Sequence, residues 1–533
     1  MTAFINHFIP DNQTFVVNVD ALHQAIAEAV SNSWANKRMT AANCADYCRL
    51  TFADHASRAI RQTEREAIKN FLDSQAVAMP KSSVGWLPEK MRLESPEWWV
   101  NQLKKRDSRK DEHAQIKRGK VTKYCSDDLL VETQENKKRL SDWLDRTTLE
   151  NKETGDVLSL KVIAAKSLSN PKLRVNELAV RTKGMAAYYQ LMGWRGLFIT
   201  ITASSSWHKV SHTYNGASPK DTQKMLTGRY ALLRAYLSNH EIKMAGMRVA
   251  EPHKDGTVHW HLAAWFESGR IAKKAVLAIR QYFLFYEGAP ERGALKNRIK
   301  FAAMNPAKGD VVGYVLKYIS KNVDGAHIDE HTDASGETVT KGADGAARVR
   351  AWAACWGIRQ FQFIGTVPVN IYRELRRIRE VGDMPDSLRT MWACADCGDY
   401  LGYILAYTMT AEKPEMIKRT FKDDLKDLAN FHGDVQSIPD ESIQLLPSLN
   451  KYLEPKSIVL GVRVGVDELM TRKCTTWTKV TAQKEHTQAS AQERVEAYAS
   501  VRAADGVDGE YWGDVVAFAA SSGGFASPLD LWQ

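Results

Sequence analysis

Apolar positions recur along this chain at two spacings, and the change between them divides it. From Ala41 to Leu72, alanine and long-chain residues stand at helical intervals with no proline, which predicts helix. Met79-Pro80 to Leu87-Pro88 is punctuated by proline, serine and glycine and predicts a turn or linker. A second helix is expected from Ser95-Pro96-Glu97-Trp98-Trp99, with Ser95 as cap and Pro96 in the first turn. The chain to about Asn170 therefore reads as helical.

The spacing then changes. Gly196-Leu197-Phe198-Ile199-Thr200-Ile201-Thr202 is β-branched and aromatic and predicts a strand. Asp221 to His240 predicts an amphipathic helix. Met247 to His253 and Val258 to Phe266 flank Lys254-Asp255-Gly256-Thr257, where Asp-Gly signals a hairpin. A helix from Ile271 to Tyr286, a strand at Arg298 to Phe301 and a helix from Val311 to Lys321 capped by Asp310 complete the series. This order predicts an α+β fold, an antiparallel sheet with helices packed on one side. Asp324 to Ala347 reads as a loop, and Arg348 to Glu380 combines Trp352, Trp356, Phe361 and Phe363 with seven arginines. Beyond Ala411 weak helices are expected, with a polar tail from Thr481.

The strand periodicity turns two motifs into a site. In a strand His259 and His261 share one face while Trp260 and Leu262 point into the other layer. With a hairpin about Asp255, Glu251 lies opposite His259 on the same face. Glu251, His259 and His261 then offer two nitrogens and one carboxylate, a set that suits Mg²⁺ or Mn²⁺. His253 is a competing third ligand, nearer the turn. An isolated His-x-His is usually a pair of solvent-facing polar residues.

Downstream, Tyr314 and Tyr318 stand four apart, on one helix face, with Lys317 and Lys321 in a row beside them. A phenol is a poor nucleophile at its ordinary pKa of about 10, and nearby ammonium groups favour the phenolate. A cation beside it would polarise a phosphodiester for attack, giving a phosphotyrosine ester on one DNA end and a free hydroxyl on the other. Two phenols permit repeated cleavage and rejoining, because the ester stores the bond energy. Alone, the tyrosines would read as a core stripe with snorkelling lysines.

Bulk properties agree with a polyanionic partner. The 533 residues carry 73 Lys and Arg against 63 Asp and Glu, a net charge of +10. A membrane surface would attract the same charge, but no apolar run approaches the roughly 20 residues of a spanning helix, so no membrane partner is expected. The N-terminus lacks the blocks of a secretory signal, and seven cysteines suggest a reducing compartment. No Gly-x-x-x-x-Gly-Lys-Ser/Thr loop occurs, which argues against a fused helicase.

These residues resemble the bacteriophage replication gene A proteins, two-tyrosine rolling-circle initiators of the HUH endonuclease superfamily. Leu197 to Thr202 looks like the first motif, Glu251 to His261 the metal-binding second, and Tyr314 to Lys321 the third. Arg348 to Trp352 and Trp356 to Phe361 also resemble the family. The likeness runs from about Glu177 to Arg379, weakens at Ser95 to Lys123 and does not extend to the C-terminal region. One departure is Ser204-Ser205-Ser206-Trp207-His208, where relatives tend to carry Pro-Ser-Arg before an aromatic and His.

The resemblance implies a ferredoxin-like or RRM-like antiparallel nuclease core between helical N-terminal and C-terminal regions. It implies nicking of single-stranded origin DNA of a phage or prophage, 5′ covalent attachment, and host helicase and replication machinery as partners in the bacterial cytoplasm. The expected division is a helical, DNA-binding 1–170, a nuclease core 171–325, a Trp/Arg-rich extension 326–410 and a weakly helical 411–533. The competing readings are an HUH transposase or relaxase, and a non-catalytic origin-binding protein.

Four further signals have two readings each. The basic residues from Lys104 to Lys123 are a solvated helix face or a phosphate-tracking surface. Cys394 and Cys397 are half a zinc site, to be completed by Cys355 or Cys474, or an ordinary thiol pair. Cys44 and Cys48, with His55 beyond, read as helix packing before metal binding. His208 and His212 are loop histidines that either touch DNA or are solvated.

Overall fold

The computed structural model describes residues 40–51, 58–82, 86–151, 153–304, 311–323, 330–332, 338–378, 384–420, 449–472 and 477–481. Two compact units emerge, one from residues 1–106 with 421–456, the other from 107–420 with 457–533.

In the first unit the expected helix over Ala41 to Leu72 is described as two, Ala41–Thr51 and Arg58–Ser74. Their apolar faces bury Cys44, Cys48, Ile68 and Leu72 around Trp99, whose indole donates to the Leu93 carbonyl at 2.7 Å. Trp99 is thus a core residue. Burial pushes the Cys44 thiol up to about 12, so both its place and its protonation favour packing over metal binding. His55 lies outside the described residues.

The second unit is built on a five-stranded antiparallel sheet. Its strands are β1 Arg195–Thr202, β2 Met244–Pro252, β3 Val258–Phe266, β4 Ile299–Ala303 and β5 Phe361–Ile364, in the order β4-β1-β3-β2-β5. The principal helices are α1 Pro171–Leu191, α2 Pro219–Asn239, α3 Gly269–Phe283, α4 Val311–Val323 and α5 Gly342–Trp356. Asp310, the expected cap of α4, lies outside the described residues.

The expectation of helices on one side of the sheet is corrected. Trp260, Leu262, Ala264 and Phe266 pack with α2, α3 and α5, while Ala263 and Trp265 pack with α1 and α4. Both faces are therefore core. The uninterrupted apolar run Leu262-Ala263-Ala264-Trp265-Phe266 is the physical reason, since a strand covered on both sides loses its polar alternation.

Two other expectations change. The loop assigned to Asp324–Ala347 gives way at Gly342 to α5, and it holds short strands at Glu330–Thr332 and Thr338–Lys341. Beyond Ala411 the weakly helical region is, among the described residues, made of strands. Glu415–Arg419, Ile458–Val464 and Asp467–Met470 form one sheet, and Trp477–Thr481 pairs with Thr147–Asn151. Ile458-Val459-Leu460-Gly461-Val462-Arg463-Val464 is β-branched enough to favour that outcome. The polar tail beyond Thr481 lies outside the described residues.

The hairpin between β2 and β3 is fixed at its tip. Gly256 has φ +83°, Asp255 Oδ1 accepts from the Thr257 amide at 3.0 Å, and the Gly256 carbonyl accepts from the Trp352 indole at 2.8 Å. A Cβ on Gly256 would stand 3.3 Å from the Tyr124 carbonyl. Gly256→Ala should therefore lower stability by about 1–2 kcal/mol, the left-handed penalty for a side chain, read as a fall in urea midpoint with unchanged m. An unchanged midpoint would contradict a tip held in this conformation.

Candidate active site

Register brings the candidate ligands together. Glu251 on β2 pairs directly with His259 on β3, and Thr200 on β1 pairs with His261. The carboxylate and both imidazoles project from the same sheet face, at the hairpin end, next to α4. Glu251 and His259 are each only 2% exposed.

The two Nε2 atoms lie 2.8 Å apart, and the Glu251 Oε2 atom is 3.6 Å from His259 and 3.5 Å from His261. Two nitrogens at that distance cannot both carry a proton toward each other. Adjacent ligands about 2.1 Å from one octahedral cation stand about 3 Å apart. The three donor atoms therefore fit around one ion, and they form a cluster of metal-ligand type among the described residues. Burial first, then the charge of His259, draws the His261 imidazole down to about 3, so it is neutral, the form that coordinates. Its Nδ1 is 3.2 Å from Thr200 Oγ1, and in the tautomer that presents the Nε2 lone pair it donates to that hydroxyl.

Burial pushes the Glu251 carboxyl up, but Lys321 and the two histidines outweigh it and hold the carboxyl well below its usual range. Lys321 Nζ lies 3.7 Å from Glu251 Oε2. Asn322, the next residue of α4 and 1% exposed, donates from Nδ2 to Glu251 Oε1 and to the Tyr318 carbonyl at 2.6 Å. The helix bearing the tyrosines is thus tied to the carboxylate by two consecutive residues.

Tyr318 stacks on His261, ring centroids 4.3 Å apart and planes at 27°. Lys317, one turn before Lys321, is exposed on α4. Tyr314 belongs to α4, and its side chain lies outside the described residues. Of the expected site residues, the structure brings together Glu251, His259, His261, Tyr318 and Lys321, and leaves Lys317 outside that cluster.

His253 stands behind the ligands. Its ring lies 4.2 Å from that of His259 and 4.8 Å from that of His208. His208 in turn faces Asp255 Oδ2 at 3.4 Å, so it braces the hairpin, whereas His212 is exposed. Cys394 and Cys397 join no metal-type cluster among the described residues, and Cys474 lies outside them.

Asn322 and Thr200 were not anticipated as site residues. Thr200 was readable only through its register with His261, and Asn322 only through its place four residues after Tyr318, on the tyrosine face of the helix.

The pattern of the bacteriophage replication gene A protein (GPA) family matches residues 86–326. The chain is 40% identical over 317 residues to the replication gene A protein of Escherichia phage 186, covering 57% of this chain and 44% of that one. It is 35% identical over 394 residues to the probable replication protein P12 of Pseudoalteromonas phage PM2, covering 72% and 58%. A probable replication endonuclease from a prophage-like region of Shigella boydii is 30% identical over 338 residues, covering 59% and 41%. The chain spans about half the length of these curated relatives. No solved structure matches it. No helix among the described residues is long and apolar enough to cross a membrane. Residues 86–326 of this chain are a segment of the bacteriophage replication gene A protein family.

Proposed function

We propose that this chain nicks one strand at a phage or prophage replication origin, holds the 5′ end as a phosphotyrosine, and rejoins DNA in rolling-circle replication. The observation that carries this reading is the stacking of Tyr318 on His261, a histidine of the candidate metal cluster, at 4.3 Å.

In this reading Glu251, His259 and His261 hold Mg²⁺ or Mn²⁺, which supplies Lewis-acid polarisation of the scissile phosphate. The Tyr318 phenolate attacks phosphorus. An oxygen–phosphorus bond to tyrosine forms, the bond to the 3′ oxygen breaks, and that oxygen leaves as a hydroxyl after taking a proton. Lys321 offsets the charge of Glu251, and Lys317 on the solvent side offsets that of the DNA backbone. Tyr314, one turn earlier, supplies the second phenol for rejoining. The freed 3′ hydroxyl can prime a host polymerase, and unwinding falls to a host helicase.

Single-stranded origin DNA incubated with the protein and Mn²⁺ or Mg²⁺ should give a covalent protein–DNA adduct that survives denaturing electrophoresis. If no adduct forms with any member of an oligonucleotide library tiling the origin region, the nuclease reading is wrong.

A further inference from the structure

Among the basic residues between Lys104 and Lys123, two groups differ in their surroundings. In the helix Pro96–Lys117, Arg106 and Arg109 are engaged with the protein: Arg106 donates to the Gln75 carbonyl at 3.2 Å, and Arg109 to the Cys355 carbonyl at 2.7 Å. These arginines hold the fold. Lys117, Arg118, Lys120 and Lys123 are all exposed.

That second group sits on a loop built to a fixed shape. Ile116 before the exposed cations, Val121 among them and Tyr124 and Cys125 after them are buried, so the stretch is anchored at both ends and in its middle. Gly119 has φ +71°, and Tyr124, 1% exposed, has φ +73°, a conformation that a bulky side chain adopts only when its surroundings enforce it. The enforcing contact lies at the tip of the metal-site hairpin. The Tyr124 amide donates to the Lys254 carbonyl at 3.0 Å, and the Tyr124 carbonyl and the Ile116 side chain both face Gly256. Lys254 adds its charge at the tip, and the Lys209 backbone amide donates a hydrogen bond to Asp255 Oδ2 at 3.0 Å.

The candidate ligand Glu251 lies only three residues from Lys254 along the same hairpin, and strands rise about 3.3 Å per residue. The loop that bears these cations is thus fastened to the tip of the hairpin whose two strands carry Glu251 and His259.

We propose that Lys117, Arg118, Lys120 and Lys123 form a phosphate-binding rail that holds the backbone of single-stranded DNA as it leaves the hairpin end of the site. This assignment rests on the nuclease reading for its substrate class. Its chemistry is that of sequence-independent backbone contact, four cations presented on a fixed loop.

The test is the salt dependence of binding to a single-stranded oligonucleotide, measured without divalent metal so that no cleavage intervenes. Each phosphate contact on a single strand contributes about 0.7 to the slope of log affinity against log salt. Converting all four residues to Gln should flatten the slope by about 3, and converting Lys120 and Lys123 alone by about 1.4. Gln at Lys137, Lys138, Lys273 and Lys274, all exposed, removes the same net charge elsewhere and should leave the slope within experimental error. An unchanged slope in the rail variants overturns the proposal, as does an equal fall in the control or a loss confined to duplex DNA. The two-residue variant keeps the test valid if the fourfold change misfolds. Failure of the nuclease reading is distinguishable, because the wild-type chain would then form no adduct while the slope still responded to the rail.

Discussion

A chain carrying both Tyr314→Phe and Tyr318→Phe should form no covalent adduct with origin DNA, a loss on the order of a thousandfold or more. Each single change should leave measurable cleavage. The argument is geometric. Residues four apart on a helix stand about 5–6 Å apart at Cβ, a spacing at which two phenols could serve one scissile phosphate. Phe preserves the ring, and with it the stacking on His261 at 4.3 Å, so the lost activity reports the hydroxyl and not the packing. Adduct yield on labelled oligonucleotides, with peptide mapping of the labelled residue in the single variants, measures this directly. Cleavage by the double variant would mean that the nucleophile is neither tyrosine.

The second large effect is expected from His259→Ala with His261→Ala. Metal-dependent cleavage should disappear, while salt-sensitive binding to single-stranded DNA persists. The two nitrogens, 2.8 Å apart, are two of the three donors in the cluster, and one carboxylate alone rarely holds a divalent cation against water. The fold should survive, because Glu251 keeps Lys321 and Asn322 as partners and no buried charge is left uncompensated. Titration of cleavage against Mn²⁺ and binding against salt separates the two properties. Unchanged metal dependence in the double variant would remove Glu251, His259 and His261 from the metal-binding role.

The hairpin was legible because its determinants are local. Asp255-Gly256 sets the turn, the turn sets the register, and the register sets Glu251 against His259. The alternation of a strand then put both histidines on the face away from Trp260 and Leu262. What the sequence could not supply was the approach of α4 to that face. The stacking of Tyr318 on His261 and the reach of Asn322 to Glu251 depend on how a helix packs across a sheet, 57 and 71 residues along the chain, which no spacing rule encodes.

The errors have equally specific causes. Reading β3 by its histidines emphasised alternation, although Leu262 to Phe266 carries none, and the second covered face was missed. The C-terminal strands were lost because Ile458 to Val464 contains a glycine and is flanked by polar segments, so its β-branched run was outweighed. The basic stretch was left with two readings because burial decides it. Arg106 and Arg109 turn inward to carbonyls while Lys117, Arg118, Lys120 and Lys123 face solvent.

Asn322 and Lys321 bear on how two tyrosines could share one site. Bringing Tyr314 into the position of Tyr318 by moving the protein would require α4 to slide four residues, about 6 Å along its axis. Such a slide would pull both residues away from Glu251, a candidate metal ligand. With the helix anchored to the carboxylate in this way, the proposed alternation becomes a property of the nucleic acid. On the proposed mechanism the protein would stay still and the strand would move between the two attacks.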